Sequence, residues 1–201
     1  MRRIAIASLV SSPEEAAHLR LLLRRGGVAA VPTETFYALA ADPFHTDAVE
    51  RIFRIKGRDD GNPLPVLFVN RLDLEALGVT ADSGALAIYF AVWPAPLTVV
   101  FPIRAPIAAS RGVSTLAVRI PASRVLRELL LAVGPLTGTS ANRSGAPPLS
   151  DPDAVEASFR REIDVLVDGG RTPGGLASTL LDATREPPVV LRRGAHAWPG
   201  R

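Results

Sequence analysis

The 201-residue sequence predicts a mixed α/β fold, a twisted sheet with flanking helices in a single domain. Three observations carry that expectation. Strand-sized apolar runs alternate with amphipathic helical patterns along the chain. The runs are numerous and short, which fits a mixed sheet better than a regular βαβ ladder. Hydrophobic residues make up 47% of the chain, enough for a sizeable core, and 23 Lys plus Arg mix with 20 Asp plus Glu, unlike a disordered chain.

The N-terminal "MRRIAIASLV" is too short an apolar run for a signal peptide and reads as a first strand. Ser12-Pro13-Glu14-Glu15 then forms a capping box, with Pro13 in the first turn. The helix it opens directs Ala17, Leu21 and Leu22 inward and stops at Arg24-Arg25-Gly26-Gly27. Val28 to Val31 is a short buried strand, and "PTETFYALAAD" follows it. Thr46 caps a second helix to about Lys56, with Val49, Ile52 and Phe53 on one face.

"GRDDGNP" is a glycine-broken loop and "LPVLFV" (64 to 69) a strand. Helices follow near 72–77 and 82–92. "WPAPLTVVFPI" turns into a strand, Thr115 to Ile120 is another, and Ser123 to Val133 is a leucine-rich helix. After a small, polar stretch from 134 to 151, Ser150 or Asp151 starts a helix reaching about Arg161. "DVLVDGG", "STLLD" and "VVLRRG" end the chain as three strands.

Several function classes drop out. There are no cysteines, so disulfides, thiolate catalysis and Cys-based zinc sites are absent. His18, His45 and His196 have no metal-ligand spacing, and no metal site is expected among the side chains. Neither a Gly-x-x-x-x-Gly-Lys-Ser/Thr loop nor a Gly-x-Gly-x-x-Gly turn is present. A Gly-x-Ser-x-Gly elbow is also missing. No apolar stretch could span a bilayer, so a cytoplasmic protein that avoids membranes is expected. The net charge of +3 leans mildly towards anionic partners such as nucleotides or RNA.

Polar islands interrupt the apolar pattern beside strand ends, where open α/β sheets keep their ligands. They are Thr33-Glu34-Thr35, Lys56-Gly57-Arg58 with Asn62, Thr115 with Arg119, and Ser140-Ala141-Asn142 with Ser144-Gly145. A weaker one joins Ser178-Thr179 to Arg192. Lys56 is the chain's only lysine. Lys56 and Arg58 suit a polyphosphate, although cations at a helix C-terminus first suggest a response to the dipole. "TSANRSG" supplies hydroxyls and backbone amides for an anion, or an ordinary turn. Arg119, inside an apolar strand, calls for an anionic partner: a protein carboxylate or a substrate.

In this order, "PTETFYALAAD", "IFRIKGRDDGNPL", "WPAPLT", "LAVRIP", "TSANRSG", "LVDGG", "STLLD" and "LRRGA" together resemble the YrdC/TsaC family, the L-threonylcarbamoyladenylate synthases. The likeness runs from about residue 12 to 196 of a YrdC-like domain spanning 1–201. It implies a YrdC/RibB-like fold around a cationic cavity. It also implies a nucleotidyltransferase that makes threonylcarbamoyl-AMP and pyrophosphate from ATP, L-threonine and bicarbonate, with Mg2+ accompanying the ATP. The product would serve threonylcarbamoyladenosine modification of tRNA, through a downstream transferase complex.

By the same resemblance, Thr35, Arg119, Gly138 and Ser178 would meet threonine. Arg58, Asn62, Thr115, Ser140, Pro148 and Arg192 would meet the nucleotide, and Lys56 would join Arg58 in catalysis. Thr33, Asn142 and Ser144 would complete the pocket. Such chemistry asks mainly for positioning and positive charge around phosphates.

This chain departs from the family in places. Ala38 and Ala40 replace glycines after the Thr-Glu-Thr triplet, and Ala95 replaces the glycine of a Trp-Pro-Gly-Pro turn. Leu67 stands where a histidine commonly contacts threonine. These departures motivate the competing reading, a catalytically impaired member that binds tRNA or double-stranded RNA.

Overall fold

A computed structural model describes residues 1–57 and 62–198. The strands divide between two mixed sheets rather than forming one. The first contains β1 (Arg2–Ala5), β2 (Ala29–Pro32), β3 (Tyr37–Ala40), β8 (Thr139–Ser140) and β9 (Val165–Asp168), ordered β1-β9-β2-β3-β8. The second contains β4 (Val66–Leu67), β5 (Leu97–Pro102), β6 (Thr115–Arg119), β7 (Leu136–Thr137), β10 (Thr179–Asp182) and β11 (Val189–Arg192), ordered β11-β10-β5-β6-β4-β7. Both combine parallel pairs, such as β1 with β9 and β5 with β10, and antiparallel ones, such as β2 with β3 and β5 with β6.

The sheets are covered differently, and that difference creates the cavity. Helices α1 (Ile6–Ser11), α2 (Pro13–Arg24) and α6 (Arg124–Val133) pack Leu9, Leu19, Leu23 and Leu129 against Val31, Val165 and Val167 on one face of the first sheet. On its other face, α3 (Thr46–Lys56) and α7 (Pro152–Phe159) pack Ile52, Phe53 and Phe159 against Ala30, Leu39 and Leu166. The second sheet is covered on one face only. There α4 (Arg71–Ala76) and α5 (Ser83–Phe90) bring Leu74 and Tyr89 to Leu97, Val99, Phe101, Leu116, Val118 and Leu181. Strand side chains alternate between faces, so Thr98, Val100, Thr115, Ala117 and Arg119 all project from the uncovered one.

Several local expectations are corrected. The first strand ends at Ala5, because Ile6 and Leu9 bury one face of a helical turn instead. Ser12 caps α2 by accepting from the Glu15 N–H, but the Glu15 carboxylate binds Arg2 at 2.9 and 3.0 Å rather than completing the box. Helix α2 buries Ala16, Leu19 and Leu23, not Ala17, Leu21 and Leu22. "LRLLL" offers more leucines than one stripe can hold, and packing on α1 and α6 chose the neighbouring one.

The cap of α3 is the His45 imidazole, accepting from the Ala48 N–H at 3.4 Å, and not Thr46. Two features went unread. Tyr37–Ala40 is a strand with all four residues buried, hence without alternation. The small, polar stretch after α6 hides two two-residue strands, β7 and β8.

Candidate functional site

A cavity of about 660 Å³ lies between the uncovered face of the second sheet and the β3–β8 edge of the first. All the sequence-predicted site residues that are described line it: Thr33, Thr35, Lys56, Asn62, Thr115, Arg119, Gly138, Ser140, Asn142, Ser144, Pro148, Ser178 and Arg192. Arg58 lies outside the described residues. Segments more than 150 positions apart in sequence thus converge on one hollow.

The Thr-Glu-Thr triplet belongs to the four-residue connection of the β2–β3 hairpin, in which Pro32 faces Tyr37. Thr33 locks this turn. Its Oγ1 accepts the Thr35 N–H at 3.1 Å and donates to the Phe36 carbonyl at 2.7 Å. That donation uses the hydroxyl's only proton. In the 3.2 Å contact between the two threonine hydroxyls, Thr35 is therefore the donor. The Thr35 oxygen is left as an acceptor beside the cavity.

Arg119 ends β6 with a side chain 7% exposed. Its Nη1 lies 3.0 Å from Glu34 Oε1, realising the protein-carboxylate alternative for this residue. Burial pulls the guanidinium below the ordinary arginine range, the Glu34 charge opposes that pull, and nearby Arg192 adds to it. Arg192 donates from Nε and Nη2 to the Ser178 carbonyl at 3.2 and 3.0 Å. The Ser178 hydroxyl meets Thr98 Oγ1 at 2.9 Å. Thr98 is a buried cavity residue that sequence reading missed. Its signal was the period-two placement of Thr98 and Val100 within "LTVVFP", masked by the apolar residues between and around them.

Lys56 closes α3 and is 4% exposed. Its Nζ donates to the carbonyls of Ser140 (2.6 Å) and Asn142 (3.0 Å) and to Asn142 Oδ1 (3.2 Å). Ser140 Oγ also donates to Asn142 Oδ1, at 2.6 Å. The Ser144 N–H returns to the Lys56 carbonyl at 2.8 Å. The ammonium thus holds the 140–144 turn in shape and brings its charge to the cavity through that turn.

Gly138 is where the chain passes from β7 in the second sheet to β8 in the first. A Cβ there would meet the Leu67 side chain at 2.6 to 2.9 Å, so the passage depends on glycine's small size. Leu67 itself is buried, lines the cavity and presents an apolar surface. Ala38, Ala40 and Ala95 carry no backbone strain, since Arg111 is the only non-glycine with positive φ among the described residues. Val100, Ala117, Leu180 and Leu191 make an apolar stretch of floor suited to a flat or aliphatic group. The arrangement therefore pairs apolar surface with the cations Lys56, Arg119 and Arg192, with threonine and serine hydroxyls, and with a preformed polar turn.

The Sua5/YciO/YrdC family, described as telomere recombination, matches residues 21–194. Threonylcarbamoyl-AMP synthase of Pyrococcus abyssi (strain GE5 / Orsay) is 38% identical over 175 residues, covering 86% of this chain and 52% of the relative. The enzyme of that name from Bacillus subtilis (strain 168) is 35% identical over 190 residues, covering 92% and 55%. The chain thus spans about half the length of these relatives. The crystal structure of P. abyssi Sua5 complexed with L-threonine superposes with a TM-score of 0.83 at 35% identity, covering 91% of this chain and 55% of that one.

Proposed function

Because the chain belongs to the Sua5/YciO/YrdC family, we propose that it is an L-threonylcarbamoyladenylate synthase. It converts ATP, L-threonine and bicarbonate into threonylcarbamoyl-AMP, pyrophosphate and water. The observation that carries this reading is the convergence of the polar islands on one cavity with an apolar floor.

Threonine and bicarbonate first form a carbamate, whose oxygen attacks the α-phosphorus in line as pyrophosphate leaves. This needs alignment and positive charge rather than a protein nucleophile. Arg119 receives the threonine carboxylate, and Thr35, Gly138 and Ser178 shape the space around the amino acid. Asn62, Thr115, Ser140, Pro148 and Arg192, together with Arg58, hold the nucleotide. Lys56 acts with Arg58 on the phosphates, through the turn it fixes. Thr33, Asn142 and Ser144 keep the two turns in register.

Among the described residues no group of three or more His, Asp or Glu could hold a metal ion. In this reading magnesium comes with the substrate, carried by ATP phosphates with water completing its shell. No helix among the described residues is long and apolar enough to cross a membrane, and we place the protein in the cytoplasm. The adenylate passes to a transferase complex that modifies tRNA.

Pyrophosphate release measured with ATP, threonine and bicarbonate each omitted in turn is the test. Release should require all three. Release without threonine or bicarbonate would overturn the assignment, and salt-sensitive RNA binding without turnover would favour the impaired RNA-binding reading.

A further inference from the structure

Glu34 has no place in the roles assigned so far, yet its surroundings are unusual. It sits at the tip of the β2–β3 hairpin, normally a solvated position, with a side chain only 14% exposed. Neither carboxylate oxygen is open to solvent or receives a hydrogen bond from the described residues. Its polar contact is the 3.0 Å approach to Arg119 Nη1. The tip belongs to the first sheet and Arg119 to the second, so this ion pair spans the gap between the sheets at the cavity.

Arg119 is just as underused. It has five N–H donors, lines the cavity, and makes no side-chain hydrogen bond to the described protein; its one charged contact is Glu34. With Arg192 close enough to repel it, an unpaired Arg119 would lose its place. A buried charge left without a partner moves towards water or relaxes its surroundings.

We propose that Glu34 is the positioning residue for amino-acid binding: its carboxylate ties the hairpin tip to Arg119 across the two sheets, holding the guanidinium with its remaining donors turned to the substrate carboxylate. Resting on the synthase reading, this deepens it by separating recognition of the amino acid from recognition of the nucleotide. Lys56 and the 140–144 turn are held by their own bonds, none of which involves Glu34.

The experiment compares wild type, Glu34→Gln, Glu34→Asp and Arg119→Lys in threonine-dependent pyrophosphate release, with calorimetric ATP binding to each. Glu34→Gln keeps the size but removes the charge. It should raise the KM for threonine about tenfold or more, leave ATP affinity within about twofold, and change kcat less than KM. Glu34→Asp, which keeps the charge, should recover part of the loss, and Arg119→Lys should reproduce the Glu34→Gln pattern. An unchanged threonine KM in Glu34→Gln overturns the proposal, as does an equal loss of ATP and threonine affinity. If Glu34→Gln does not fold, Glu34→Asp decides by the same split: a threonine-selective loss supports the proposal, and a loss shared with ATP overturns it. Failure of the synthase reading is separate, since wild type would then show no threonine-dependent release.

Discussion

At Thr98 a single hydroxyl separates a residue that only packs from one that joins the cavity's polar network. Its Oγ1 meets the Ser178 hydroxyl at 2.9 Å, inside the cavity and out of bulk water. Thr98→Val preserves the shape and removes the partner. A buried hydrogen bond of this kind contributes about 0.5–1.5 kcal/mol, equivalent to roughly two- to twelvefold in an equilibrium. We therefore expect Thr98→Val to raise the threonine KM severalfold, with Thr98→Ser close to wild type. Steady-state kinetics on the three proteins checks this. A loss in Thr98→Ser with Thr98→Val close to wild type would mean that the methyl group, not the hydroxyl, matters here.

The elements that build the site are short, and their junctions matter more than their interiors. Gly138 joins β7 to β8 against Leu67, with no room for a methyl group. Gly138→Ala should destabilise the protein by about 1–3 kcal/mol through overpacking. Combining it with Leu67→Ala should relieve part of that cost, giving a coupling of about 0.5 kcal/mol or more. Denaturant midpoints of the two single variants and the double variant measure it; strict additivity would place the strain elsewhere.

Several elements were legible from their apolar pattern and the turns that bound them. Helix α6 and strands β5, β6, β9 and β10 lie close to where periodicity put them. Tyr37–Ala40 was not legible, because a strand buried on both faces loses its alternation. The wrong face was read for α2 because three neighbouring leucines support two registers equally well.

For the molecule as a whole, a mixed α/β fold was readable but its division into two sheets was not. That division depends on chain crossings such as Gly138, which leave no periodic trace. The candidate residues were individually ambiguous, and only their order made them a site. Chemistry hidden within an apolar pattern, as at Thr98, went unread, and Glu34 stood in its polar island without a role.

The N-terminal strand is also tied to the later part of the chain. From β1, Arg3 pairs with Asp168 of β9 at 2.7 Å and with Asp153 and Glu156 of α7 at 2.6 and 3.0 Å. Burial would raise the Asp168 carboxyl, but the Gly170 N–H and Arg3 outweigh it and hold the group below its ordinary 3.8. A carboxyl depressed on folding adds stability at neutral pH that disappears as pH falls through its folded-state value. The melting-point gap between wild type and Asp168→Asn should thus be present at pH 7 and close in strongly acidic solution. With both partners partly exposed, the effect should stay below about 1 kcal/mol.

Since the hollow has a slab of sheet on either side, whatever occupies it works as mortar. A guest gripping both slabs makes the host stiffer. The empty form should be the one a protease digests faster, and on the synthase reading the same grip on a reactive product would set how soon it is handed on.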